Sequence, residues 1–265
     1  MTTAISGVSN SRFDNSAALL AQAPAKPSLS DIQRNYQVSE DRMANWEPKL
    51  GGLIPLGVFT GSRRITATEG AMLDGLTRSR GVLGLQAFQG IVNEAQIVSA
   101  QRVPPASVDS MPARVAADIN KLPAGVRDQV RNGWPLSDGH TDAFRHAYWN
   151  ARMSQQFGSE WATQYATAHE AVDTSVNNSA VREAMDLYNN EVGRKIAADN
   201  PNASPAEIAD KVKAALDRGE LVVVNQSGTL SWSNEVPVGQ HGRGQSSNAP
   251  GVLAVPAGDA YVRGG

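Results

Sequence analysis

The sequence predicts a mainly α fold, a helical bundle-like domain with a small C-terminal β-hairpin. Three observations carry that expectation. Apolar residues recur with the helical period through Met72, Leu73 and Leu76, and again through Leu85, Phe88, Ile91, Val92 and Ala95. Three further segments between Asp142 and Ala198 are bounded by cap or stop residues. Finally, Leu221 to Asn225 and Thr229 to Ser233 flank Gln226-Ser227-Gly228, the pattern of a hairpin.

In chain order, residues 1–27 have low hydrophobicity and no periodicity, as expected of a mobile leader. Ser30 and Asp31 cap a helix expected to run to about Trp46, and Leu50 to Gly61 reads as an apolar connector punctuated by Gly and Pro. Gly81 interrupts the helical pattern that follows. Pro104-Pro105 removes two backbone donors and forces extended geometry, so a helical N-terminal region, 28–105, is expected to end there and a second domain, 106–235, to begin. In that domain Asp109 or Ser110 caps a short helix with Pro112 in its first turn, and another runs from Pro123 to Asn132-Gly133. Thr141 is the expected cap of a helix over 142–157, stopped by Gly158; helices over 159–172 and 180–198 follow, with Asn177-Asn178 in the loop between them. Residues 236–265 read as a flexible tail.

Composition excludes several chemistries. With no cysteine among 265 residues there is no disulfide, thiolate metal site, iron–sulfur cluster or cysteine nucleophile. A formal net charge of −2 gives no overall basic field, so no nucleic-acid partner is expected. No apolar run approaches the roughly 20 residues of a membrane helix, and the N-terminus lacks the basic and apolar regions of a secretory signal. The polar ring chemistry is concentrated: three of the four histidines and three of the five tryptophans lie between Trp134 and His169.

On the helix from 142, Asp142, His146 and Asn150 are spaced four and four and so share one face, bordered by Arg145, Trp149 and Met153. A surface Asp–His pair would account for part of this at a few tenths of a kcal/mol. On the next helix His169 shares the apolar side of Trp161 and Tyr165, and Glu170 projects about 100° away from it. On the third, Asp186 and Asn190 are four apart; the Asn189-Asn190 doublet costs helix propensity without local return, as at a buried hydrogen-bonding or functional position. Gly193, one turn on, leaves room for another backbone or a substrate. Antiparallel packing would bring these groups into one pocket.

Over roughly Val108 to Asn234 the motifs Asp142-Ala-Phe-Arg-His-Ala-Tyr-Trp-Asn150, Ala168-His169-Glu170 and Met185-Asp186-Leu-Tyr-Asn-Asn190, with Gly193-Arg194, resemble a bacterial domain found at the C-terminal ends of polymorphic toxins, Rhs-type and wall-associated proteins and candidate secretion-system effectors. The resemblance implies a small helical domain deployed against other cells, with Asp142, His146, His169 and Asp186 as its site. It also implies export from the bacterial cytoplasm by a contact-dependent apparatus such as type VI secretion, a chaperone or adaptor, a cognate immunity protein, and action in a target cell.

The expectation is therefore a metal-assisted hydrolase acting on a cell-envelope component, peptidoglycan or lipid. Asp142, His146, His169 and Asp186 are the expected ligands of a divalent ion, Zn, Mn or Fe, which suits carboxylate and imidazole donors. His146, His169, Glu170, Asp142 and Asp186 would be catalytic, and Arg145, Trp149, Asn150, Asn190 and Arg194 would contact substrate. Two alternatives stand beside it. One is a helical metal phosphohydrolase acting on nucleotides or phospholipids, loosely suggested by the order His146, His169-Glu170, Asp186. The other is a non-enzymatic binding module whose polar set is a structural network.

Overall fold

The computed structural model describes residues 26–50, 54–55, 62–172 and 179–244. The chain is mainly α with a C-terminal hairpin, as the periodicity predicts. A short helix α1 (Leu29–Asn35) is followed by strands β1 (Met43–Trp46), β2 (Lys49–Leu50), β3 (Ile54–Pro55) and β4 (Arg63–Thr66). Helix α2 (Ala67–Arg102) then leads to α3 (Ala113–Asn120), α4 (Ala124–Gly133), α5 (His140–Phe157), α6 (Ser159–Glu170), α7 (Ala180–Asp199) and α8 (Pro205–Asp217), and β5 (Val222–Val224) pairs antiparallel with β6 (Leu230–Trp232).

Helix α5 is the axis. It packs against α2, α6, α7 and α8, and every residue from His140 to Ala151 is buried. Such all-round burial leaves no solvated face for the Asp142–His146–Asn150 ladder, so its polar groups must find partners inside. One core includes Ile32, Leu73 and Phe88 together with Tyr148, Met185, Ile208 and Val223. Residues on both sides of Pro104-Pro105 thus contribute to the same core: the prolines follow the end of α2 and do not separate two cores. A smaller cluster joins Val115, Ile119, Val130 and Trp134 beneath α3 and α4.

Several local expectations are corrected. The helix from Ser30 does not reach Trp46. It is capped by Ser28 and ends at Asn35, and β1 pairs Met43 to Trp46 with Thr66 to Arg63 of β4. Burial of the Trp46 ring decides this, its Nε1–H donating to Asp74 Oδ1 at 2.9 Å on α2. The expected interruption at Gly81 is present: its φ of 63° and ψ of −162° are non-helical, and α2 is two helical segments meeting there at a kink. Thr141 is not a cap, because α5 begins at His140; its hydroxyl donates to Val103 O at 2.9 Å, tying α5 to the end of α2. Ser107 and Pro112, not Asp109 or Ser110, occupy the cap positions before α3. Asn177-Asn178, most of the 1–27 leader and residues 245–265 lie outside the described residues.

The expected flexible tail is partly structural. Residues 236–244 form a strap in which the His241 ring stacks on Trp134, with centroids 4.4 Å apart and planes 12° from parallel. Gly242 N–H donates to Val224 O at 2.7 Å, and Trp134 Nε1–H donates to Gly242 O at 3.1 Å. A side chain at Gly242 would stand 1.8 Å from Asn225 O, so the glycine that resembles linker composition permits close backbone contact. A chain ended at Glu235 is expected to lose about 3 kcal/mol, from three or four hydrogen bonds near 1 kcal/mol each and one stacked ring pair, partly offset by the entropy of a freed segment. Urea denaturation checks this; an unchanged midpoint would refute a stabilising role for the strap.

Candidate metal centre

The Asp142 ligand position is built by the turn before α5. Asp138 adopts φ 64°, a left-handed conformation that Asp tolerates better than most residues. Its N–H thereby donates to Asp142 Oδ2 at 2.6 Å, so the first-turn carboxylate of α5 reaches back to the turn before its own helix. The Asp138 carboxylate accepts from Arg182 Nε at 2.6 Å and from Gly244 N at 2.9 Å. The strap and α7 are therefore fastened to the turn that holds Asp142. Arg145 bonds the other oxygen of Asp142 and donates to Leu136 O at 3.0 Å.

Asp142, His146 and Asp186 converge as the spacing predicts. One ligand atom from each lies within 4.8 Å of the others, and all three residues are buried. His146 Nε2 stands 3.4 Å from Asp142 Oδ1 and 3.6 Å from Asp186 Oδ1. These separations are long for hydrogen bonds yet suit donors about 2.1 Å from one shared ion. Asp186 Oδ1 is buried with no hydrogen-bond partner among the described residues, although a buried carboxylate oxygen demands one. The group can hold a metal ion.

The electrostatics agree with a site short of positive charge. Burial pushes Asp186 well above the usual carboxylate range, reinforced by Glu170 and Asp142. Burial also opposes ionisation of Asp142, but the Arg145 charge and the nearby His146 outweigh it and hold that carboxyl below its ordinary value. For His146, burial lowers the pKa, but Asp186, Asp142 and Glu170 together raise it to about 9. Glu170 Oε1 lies 3.6 Å from His146 Nδ1, so the last residue of α6 closes the ring of carboxylates.

His169 is not in the three-residue group. Its Nδ1 bonds Glu69 Oε1 at 2.8 Å, and the edge of Trp149 packs against it at 5.2 Å between centroids. Glu69 also caps α2, accepting from Thr66 N–H at 2.8 Å, while the Thr66 hydroxyl donates to Ala168 O at 3.0 Å. A capping box joins α2 to α6 and fixes the His169 ring. The remaining histidines are structural: burial lowers the pKa of both His140 and His241, and they bond Ser233 O and Trp134 O at 2.8 and 3.1 Å.

Four of the residues expected to contact substrate are hydrogen-bonded to one another or to the site. Arg145 serves Asp142, and Arg194 donates to Asn150 Oδ1 at 2.9 Å. Asn150 Nδ2 donates to Asn190 Oδ1 at 2.6 Å. Trp149 Nε1 is buried with no hydrogen-bond partner among the described residues, which leaves it one donor beside the site. The Asn doublet divides its work: Asn190 turns to His146, and Asn189 mimics a strand, its Nδ2 donating to Val222 O at 2.9 Å and its Oδ1 accepting from Val222 N at 3.0 Å. Sequence reasoning missed Glu69, Asp138 and Arg182 as supports of the site, whereas the buried hydrogen-bonding role of the Asn189-Asn190 doublet was legible. The Thr66-x-x-Glu69 pattern was a readable cap signal, but its link to His169 spans 100 residues.

Residues 125–220 match a family described as a domain of unknown function, DUF6973. That stretch contains the three grouped residues, Glu170, Asn190 and Arg182. Nothing among the curated proteins or the solved structures matches the chain. No described helix is long and apolar enough to cross a membrane.

Proposed function

We propose that this chain is a metal-assisted hydrolase used as a secreted antibacterial effector against a cell-envelope polymer or lipid. One observation carries the enzymatic part: a buried imidazole nitrogen between two carboxylate oxygens, one of them lacking a hydrogen-bond donor among the described residues, at separations that fit a shared ion. An ion of the Zn, Mn or Fe class would supply Lewis-acid polarisation and make water nucleophilic near neutral pH. Asp142, His146 and Asp186 would hold it, and Glu170, beside His146, would accept a proton. His169, whose Nδ1 is fixed by Glu69, positions the adjacent Glu170 and Trp149 and stands outside the three-residue group.

The effector part rests on the motif resemblance, which also supplies the contact-dependent delivery, the adaptor and the immunity protein as proposed partners. Expression in the bacterial cytoplasm and, separately, with a periplasmic signal should give toxicity in the periplasm only. His146→Ala and Asp186→Ala should each reduce killing at least about a hundredfold, with metal content falling in parallel. Undiminished toxicity of both variants would sink the enzymatic reading, and killing confined to the cytoplasm would sink the envelope target.

A further inference from the structure

We propose that Arg194, Asn150 and Asn190 form a polarity relay that makes Asn190 a positioning residue, fixing His146 with its proton on Nδ1 and its Nε2 lone pair toward the ion. The inference rests on the metal-centre reading above and assigns to these three residues a role other than contact with substrate.

The argument begins at Arg194, because a guanidinium donates hydrogen bonds and never accepts them. Its contact at 2.9 Å therefore requires the oxygen of Asn150 to face it, which sends the Asn150 amide nitrogen the other way. That nitrogen meets Asn190 at 2.6 Å, so the atom presented by Asn190 must be its oxygen. The same oxygen lies 3.3 Å from His146 Nδ1, and an acceptor there requires Nδ1 to carry a hydrogen. A neutral imidazole has one N–H, so Nε2 is left with its lone pair, on the side where Asp142 and Asp186 stand. Donor-only chemistry at a part-exposed arginine thus sets the tautomer of a fully enclosed histidine through two buried amides. The second bond of Asn150 Nδ2, to His146 O at 3.2 Å, stops this amide from turning over. Metal-bound histidines characteristically have the other ring N–H held in this way, and loss of such a partner weakens metal affinity by roughly 10- to 100-fold.

The test uses the full chain with Zn²⁺ as probe. Long-range proton–nitrogen spectra of the metal-free protein, taken above the measured titration of His146, report the tautomer; competition titration reports the Zn²⁺ affinity. The wild-type ring should be predominantly the Nδ1–H form. Asn190→Leu should lose that preference and bind Zn²⁺ about 10- to 100-fold more weakly. Arg194→Met, at the outer end of the relay where folding is less exposed to damage, should do the same to a smaller degree, and Arg194→Gln, which keeps a donor, should restore it. A merely structural role would change melting temperature without moving the tautomer. A wild-type Nε2–H ring, or unchanged tautomer and affinity in both Asn190→Leu and Arg194→Met, overturns the relay. Should the wild type bind no Zn²⁺ or Mn²⁺, the metal reading fails on its own, and the tautomer spectra still decide the relay.

Discussion

Alanine at Gly193 is expected to destabilise the protein by about 4 kcal/mol or more, enough to leave much of it unfolded. An added Cβ would stand 1.9 Å from Ala147 O, 2.6 Å from Ala147 C and 2.8 Å from Ala147 Cα. All three atoms belong to the backbone of α5, so no side chain can swing aside; α7 would have to retreat by more than an ångström. Overpacking against movable side chains costs about 1–3 kcal/mol, and a rigid helix backbone lies beyond that range. The intrinsic preference of a helix for Ala over Gly, about 1 kcal/mol, acts in the opposite direction and is overwhelmed. Retreat would also part Asp186 and Asn190 from His146, so surviving folded protein should bind metal poorly. Gly90 on α2 is the control: nothing lies within 4 Å of its added Cβ, and alanine there should stabilise by several tenths of a kcal/mol. Chemical denaturation of the two variants gives the comparison. Equal stability of Gly193→Ala and wild type would show that α5 and α7 do not cross at this point.

The readability of Gly193 differs instructively from what was overlooked. Its placement one turn after Asn190 exposed it as a point of close approach, and the approaching group is the backbone of Ala147. The convergence of Asp142, His146 and Asp186 was likewise legible, because helical spacing fixes which residues share a face and short connections favour antiparallel neighbours. What spacing along single helices could not reveal is which side chains compete for the same partner. The Nδ1 of His169 is held by Glu69, 100 residues earlier, a pairing that no local spacing shows. Helix α8 escaped prediction although Ser204 and Glu207 form a full capping box with Pro205 in the first turn. The strap escaped for a physical reason: Gly-rich composition marks flexible linkers and tight packing alike, and only the surroundings of Gly242 distinguish them. The extended course of 43–46 was hidden because four residues are too few to show a period of two, and their pairing with 63–66 is non-local.

Metal binding should be strongly pH-dependent, with the apparent affinity for Zn²⁺ rising about tenfold per pH unit between pH 7 and 9 and levelling above that range. The cause is competition between two cations for one lone pair. Burial alone would keep His146 neutral, but Asp186, Asp142 and Glu170 hold its proton up to about pH 9 in the metal-free fold. An ion entering at pH 7 must expel that proton. The Asp186 charge is the first of those that hold the ring proton, so about one proton leaves per ion. Stability follows with a defined sign. A histidine whose folded pKa exceeds its unfolded value contributes fully below about pH 6.5, and the contribution disappears as pH rises through about 9. The metal-free protein should therefore lose stability across that window, while saturation with Zn²⁺ at a hundred times its Kd should add about 2.7 kcal/mol and remove the decline. Calorimetric titration in two buffers of different ionisation heat counts the protons, and thermal melts with and without Zn²⁺ test the stability. In His146→Gln both the proton release from the ring and the alkaline loss should vanish. Binding of Zn²⁺ to the wild type with no proton release and no pH dependence would mean that the ion sits elsewhere and that the carboxylates surround His146 only to hold it charged.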